Sequence, residues 1–191
     1  MTTRPTTRAR RRGFTIIEVL VAVVITAIGF AAIFSLQIGS MQGNIEAREM
    51  AAATNLAERY VATLRREAFQ WVAGPRPQAA QSALLGQGPA TWHSLTPRPV
   101  DHNGRPHVAD DARFGSPLAR QRFCVQYWMS DRDQVLDGVL NVRVRVIWPV
   151  GTLDTTILDA ACAPATANAF QPDVGRFRTL VLPAAIRRHE S

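Results

Sequence analysis

From Phe14 to Leu36 the chain reads FTIIEVLVAVVITAIGFAAIFSL, 23 residues that carry one charge, Glu18. At about 1.5 Å of rise per residue, a helix of that length reaches roughly 35 Å, against about 30 Å for the hydrocarbon core of a bilayer. Such a segment spans a membrane or is sheathed by other apolar helices; it does not stand alone in water. Five arginines, Arg4, Arg8, Arg10, Arg11 and Arg12, precede it without any acid, whereas Glu46, Arg48 and Glu49 follow it. By the positive-inside rule the N-terminus is cytoplasmic and everything beyond Leu36 is exported.

The same asymmetry bears on the charge of the whole chain. A net charge of +7 and a pI near 11.0 point to nucleic acid when the charge is spread over a domain. Here five of those charges fall in residues 1–13, and taking five from +7 leaves +2 on the remainder. The basic character belongs mainly to a leader.

Glu18 is the odd residue of the apolar run. A carboxylate in the middle of a spanning helix costs on the order of 2.5–3.5 kcal/mol on insertion scales. It either finds a cationic partner or sits near the interface and reaches out to water. A secretory signal peptide fits the run poorly. Its apolar region is normally about 7–15 residues and uncharged, and the small residues Ala31 and Ala32 lie inside the stretch rather than after it. A plain uncleaved signal anchor is a further competitor.

Past Leu36 the pattern becomes amphipathic. Met41, Ile45, Ala52, Leu56, Tyr60, Leu64 and Trp71 recur at helical intervals, and Glu46, Arg48, Glu49, Glu58, Arg59, Arg65, Arg66 and Glu67 occupy the other faces. Gly74-Pro75 supplies a stop. One helix from about Phe14 to about Val72 is therefore predicted, roughly 90 Å long at 1.5 Å per residue. Gly29 and Gly39 lie in or near its apolar half, where they serve either local melting or close helix packing.

Residues 75–118 are rich in proline, glycine and small polar residues and read as irregular, with a short helix at Gln78–Leu85. Beyond them alternation takes over. Phe123, Val125, Tyr127 and Met129 share one face of a strand. Leu140, Val142, Val144, Val146 and Trp148 share one face of the next, with Arg143 and Arg145 on the other side. Leu153–Leu158 and Arg176–Leu182 are predicted as further strands. An antiparallel sheet laid on the second half of the helix makes the fold α+β. The two cysteines, Cys124 and Cys162, lie beyond the apolar run; their number fits one disulfide in an exported head, or two buried thiols otherwise. As a bond they would pin a loop, worth roughly 3 kcal/mol.

Arg12-Gly13-Phe14-Thr15-Ile16-Ile17-Glu18-Val19-Leu20 resembles the processing site of type IV prepilins and type II secretion pseudopilins. The resemblance implies that a membrane peptidase cuts after Gly13, that Phe14 is then N-methylated, and that Glu18 serves assembly. A cut there would leave the new α-amino group four residues from Glu18, giving the carboxylate an opposite charge within one chain or between neighbours. The order helix, variable loop, antiparallel strands and tail is also similar to the pilin fold. NLAERYVATLRREA at 55–68 and VRVIWP at 144–149 look most like the pilus-modification (PilV-type) minor pilins.

The implied organisation is a cleaved cytoplasmic leader at 1–13, a transmembrane and filament-core helix at 14–36, its amphipathic continuation at 37–73 and a periplasmic head at 74–191. The implied role is that of a minor pilin of a type IV pilus, anchored in the inner membrane and acting in filament initiation or at the tip. Its partners would be the prepilin peptidase and N-methyltransferase, other minor and major pilins, and the inner-membrane assembly machinery. Alternatives are a type II secretion minor pseudopilin and a membrane-anchored periplasmic binding or adhesion module that never polymerises.

Other chemistry finds little support. Asp131-Arg132-Asp133 with Asp137-Gly138 faintly resembles a calcium loop, but Val135 and Val142 stand where oxygen ligands are wanted. His93, His102 and His107 near Asp101, Asp110 and Asp111 lie in proline-rich loop with no helix to hold ligand spacing. No nucleotide-binding loop, nucleophile elbow or zinc-helix motif occurs, so neither an enzyme, a cofactor nor a metal is expected. Arg143, Arg145, Arg176, Arg178, Arg187 and Arg188 would form a DNA-binding stripe only if their strands are neighbours; arginines on strand faces commonly guard sheet edges, and no nucleic-acid partner is expected.

Overall fold

The computed structural model describes residues 13–72, 77, 78, 80, 82–106, 122–130, 138–151 and 155–188. The chain divides into two compact units, Met1–Ala47 and Arg48–Ser191. One helix, α1, runs Ile16–Glu67 and closes in a 3-10 turn at Ala68–Gln70, a few residues short of the expected Val72. Its first turn holds Glu18 and its last turn Arg65 and Arg66, signs that complement the helix dipole at both ends.

Within the first unit the apolar side chains of α1 have no protein cover. Ile16, Val19, Leu20, Val23, Val24, Ile28, Phe30 and Phe34 are all exposed. The helix is long and apolar enough to cross a membrane, and no part of its apolar window is buried. Thr26 turns its hydroxyl back to the carbonyls of Ala22 (2.8 Å) and Val23 (2.9 Å), which satisfies a polar group that lipid would otherwise strand.

The second unit is built on a four-stranded antiparallel sheet in the order β1-β2-β3-β4: Trp92–Ser94, Cys124–Met129, Val139–Pro149 and Phe177–Arg187. Alternation sorts its faces. Val125, Tyr127 and Met129 of β2 pair toward Val142, Val144 and Val146 of β3, which pair with Ala184, Leu182 and Leu180 of β4. These residues, with Leu140, Trp148 and Ile186, pack in one cluster with Ala53, Leu56, Ala57, Val61, Leu64, Ala68 and Trp71 of α1 and its 3-10 turn. The amphipathic half of the helix is thus paired with the sheet, an α+β, pilin-like arrangement. The seam is also fixed by polar contacts. Glu49 pairs with Arg122 at 2.7 Å, Ser82 donates to Glu67 (2.6 Å), and the Tyr127 hydroxyl donates to the Leu84 carbonyl (2.6 Å).

Three expectations need correction. Of the strand expected at Leu153–Leu158, residues 155–158 are helical instead, within the helix Thr155–Cys162, α2, while residues 153 and 154 lie outside the described residues. The β-branched run Thr155-Thr156-Ile157 suggests a strand, but Leu158, Ala161 and Cys162 recur at three and four residues and are buried together, the period of a helix packed on a surface. Segment 75–118 is not wholly irregular, because Trp92–Ser94 pairs with Gln126–Trp128. Of the helix expected at Gln78–Leu85, residues 83–85 lie in a turn running on to Gly86, with the Gly86 N–H on the Ser82 carbonyl (3.0 Å), while residues 79 and 81 lie outside the described residues.

The last strand is longer than Arg176–Leu182 and runs through Pro183. Its phase explains why proline is tolerated. The Arg188 N–H to Gly138 carbonyl bond (2.7 Å) and the Val150 N–H to Arg176 carbonyl bond (2.9 Å) bracket the β3–β4 ladder. Counting inward from either, Arg143 and Pro183 form a non-hydrogen-bonded pair, so the proline nitrogen faces the free edge. There it breaks the row of donors that a long edge strand would otherwise present.

Candidate functional site

At the N-terminal end, Gly13, Phe14 and Thr15 precede the helix and belong to no helix or strand. The Thr15 carbonyl accepts the N–H groups of Glu18 (3.1 Å) and Val19 (3.3 Å), which starts α1. Phe14 is 83% exposed, and a Cβ placed on Gly13 would meet nothing within 4 Å. Packing within the chain therefore does not account for the glycine. Glu18 falls in the first turn rather than deep in the helix, beside N–H groups that have no partner of their own in the helix, where a carboxylate gains about 0.3–1 kcal/mol. Gly29 and Gly39 are equally uncrowded. Residues 1–12, with the leader arginines, lie outside the described residues.

In the second unit Cys124 on β2 and Cys162 at the end of α2 are joined by a disulfide, with Cα atoms 5.1 Å apart and a sequence separation of 38. Closing a loop of that length removes about 4 kcal/mol of unfolded-state freedom. The bond sits in a second buried cluster with Ile147, Leu158, Ala161 and Phe177, on the sheet face opposite α1.

This second layer changes the reading of Arg145. The sequence places it on the solvent side of β3; instead it is only 7% exposed. It donates to the side-chain oxygen of Gln126 and to the carbonyls of Ala167 (3.0 Å) and Phe170 (3.1 Å). Its guanidinium lies over the Trp92 ring at 4.0 Å. No carboxylate pairs with it among the described residues, and burial pulls its pKa down to about 10. Gln126 in turn donates to the Ala161 carbonyl (2.6 Å) and Ser94 to that of Cys162 (2.5 Å). The Asn168 side chain accepts the Trp92 N–H (3.1 Å). Carbonyls at the end of α2 and in the turns after it are thus satisfied by sheet side chains, a need that follows from burying them. The only sequence signal was a Gln–Arg cross-strand pair among apolar neighbours.

The other candidates do not converge. Arg143 is exposed and lies over Trp128 at 5.1 Å, and β4 alternation puts Arg178 on the face opposite Arg187. With Arg145 buried, the six arginines do not form one stripe. His93 is engaged with the Gly88 carbonyl (2.6 Å) and the Thr91 hydroxyl (2.9 Å), and His102 with the Asn103 amide (3.0 Å). Among the described residues no three His, Cys, Asp or Glu side chains group to hold a metal. His107, Asp110, Asp111, Asp131, Asp133 and Asp137 lie outside the described residues.

No curated protein and no solved structure matches the chain. A model of the prokaryotic N-terminal methylation motif matches residues 8–34, the segment that holds Gly13, Phe14 and Glu18. That type IV prepilin-like motif, with the membrane-capable helix behind it, supports the general pilin class for this chain.

Proposed function

We propose that the chain is a minor pilin of a type IV pilus. It is inserted in the inner membrane with its head in the periplasm, cut between Gly13 and Phe14 by a prepilin peptidase, N-methylated on Phe14, and joined to other pilins at the start or tip of a filament. The observation that carries the reading is a methylation motif over residues 8–34 that runs into an apolar helix whose large side chains are exposed. Lipid covers that surface before assembly, and neighbouring subunits cover it afterwards. Glu18 is the assembly residue: a carboxylate in the first turn, within reach of the freed α-amino group of its own chain or a neighbour's, exchanges an expensive unpaired charge for a paired one. The role is structural, and no catalytic step is assigned to the chain.

Deleting the gene and counting surface filaments tests this reading. Loss or strong reduction of type IV pili, restored by the intact gene, is expected. Normal piliation with a block in protein secretion would instead make the chain a type II secretion pseudopilin.

A further inference from the structure

We propose that the cleft between α1 and the turn Asp101–Arg105 is an oxyanion site that takes a carboxylate or phosphate group of a bound molecule. The cleft has a volume of about 530 Å³ and is lined by Asn55, Leu56, Arg59, His102, Asn103 and Arg105. The lining thus includes two arginines, a histidine and two asparagines, with no aspartate or glutamate among the described lining residues. Asn55 and Arg59 stand four apart on α1 and so share a face.

The opposite wall is a shaped turn. The Asp101 carboxylate accepts the backbone N–H groups of Asn103 (2.8 Å) and Arg105 (2.9 Å) through one oxygen. The Gly104 N–H bonds the Asp101 carbonyl (2.9 Å), the Asp101 N–H bonds that of Arg105 (3.1 Å), and Val100 bridges to Pro106. The turn's own acid is therefore directed at its backbone. Gly104 has φ +72°, and a Cβ there would lie 3.2 Å from Arg59 Nη1 and 3.3 Å from Leu56 Cδ2. Glycine lets the turn seat directly on the helix and sets the width of the cleft.

Arg59 gives one N–H to the Asn103 carbonyl, and its remaining donors have no protein acceptor among the described residues. The Arg105 side chain has none there either, and neither arginine is in an ion pair with a described residue. Glu58 neighbours Arg59 in sequence but points about 100° away around the helix. Planar guanidinium forks with open donors, from the two walls of one cleft, match the oxygens of a carboxylate or phosphate. The site lies wholly in the second unit and does not depend on how the N-terminus is processed.

The test is calorimetric titration of the purified full-length chain in detergent micelles with citrate and, separately, with inorganic phosphate, at constant ionic strength. Saturable binding of at least one is expected, weakened tenfold or more by Arg105→Gln and by Arg59→Gln and unchanged by Arg176→Gln. Arg105→Gln lies on an exposed turn and keeps the melting temperature of the parent, so its loss of binding is read on folded protein. Tighter citrate binding assigns the site to carboxylates of a protein partner, and tighter phosphate binding to a phosphate-bearing ligand. Absence of saturable heat with both, or binding that survives both substitutions, overturns the proposal.

Discussion

The Arg145 guanidinium lies 4.0 Å from the centre of the Trp92 ring, joining β3 to β1 across the intervening β2. A buried cation without a carboxylate is expensive unless hydrogen bonds and an aromatic face replace its water, and here Gln126, Ala167, Phe170 and Trp92 do so. Arg145→Ala should therefore lower stability by about 2–4 kcal/mol, because it strands the Gln126 oxygen and two carbonyls. Arg145→Met keeps an unbranched apolar stem in the buried space and should cost less. Chemical denaturation of the full chain in detergent measures both, and equal stability of all three proteins would contradict the network.

Reduction of the Cys124–Cys162 bond should loosen α2 while leaving the opposite face of the sheet packed on α1. Cys124→Ser with Cys162→Ser is expected to cost about 4 kcal/mol at most. Thermal melts with and without reductant follow the loss, and thiols that react fully in folded, unreduced protein would contradict the bond.

Alkaline pH should act through Tyr127. Burial, with the nearby Glu67 charge second, raises its pKa well above the ordinary 10. The phenol thus stays protonated in the folded chain while it ionises in the unfolded one. Stability is fully present below pH 10 and falls as the pH rises above it, by at most about 1.4 kcal/mol per pH unit. Arg145, drawn down to about 10, has the opposite sign in that range, since the unfolded chain then holds the extra proton. The clean readout is the difference between parent and Tyr127→Phe. The variant should lose less stability above pH 10, and parallel pH curves would contradict the assignment.

Much of this architecture is legible in the residues. The apolar run from Phe14 and the recurrence of Leu56, Leu64 and Trp71 mark α1 nearly to its end, and strict alternation marks β2 and β3. Three features are not legible. Trp92–Ser94 is too short for a period to show, and its partner lies some thirty residues away. α2 begins with residues that favour strands, and its helix rests on burial against Cys124 and Ile147. Arg145 on an alternating strand reads as solvent-facing until a second layer is known to cover it, and that layer was hidden by the same α2 misreading.

Glu18→Ala separates processing from assembly. The substitution makes the helix more apolar, so insertion and cleavage should proceed, while incorporation into filaments should fall at least tenfold for want of the charge partner. Immunoblots of sheared filaments against membranes read the ratio, and unchanged incorporation would remove Glu18 from assembly.

The most direct test is the mass of the N-terminal peptide of the chain isolated from its own membrane. A peptide that begins at Phe14 and carries one added methyl group on its α-amine is the expected result. A chain that still begins at Met1, or retains Gly13, would contradict the prepilin account.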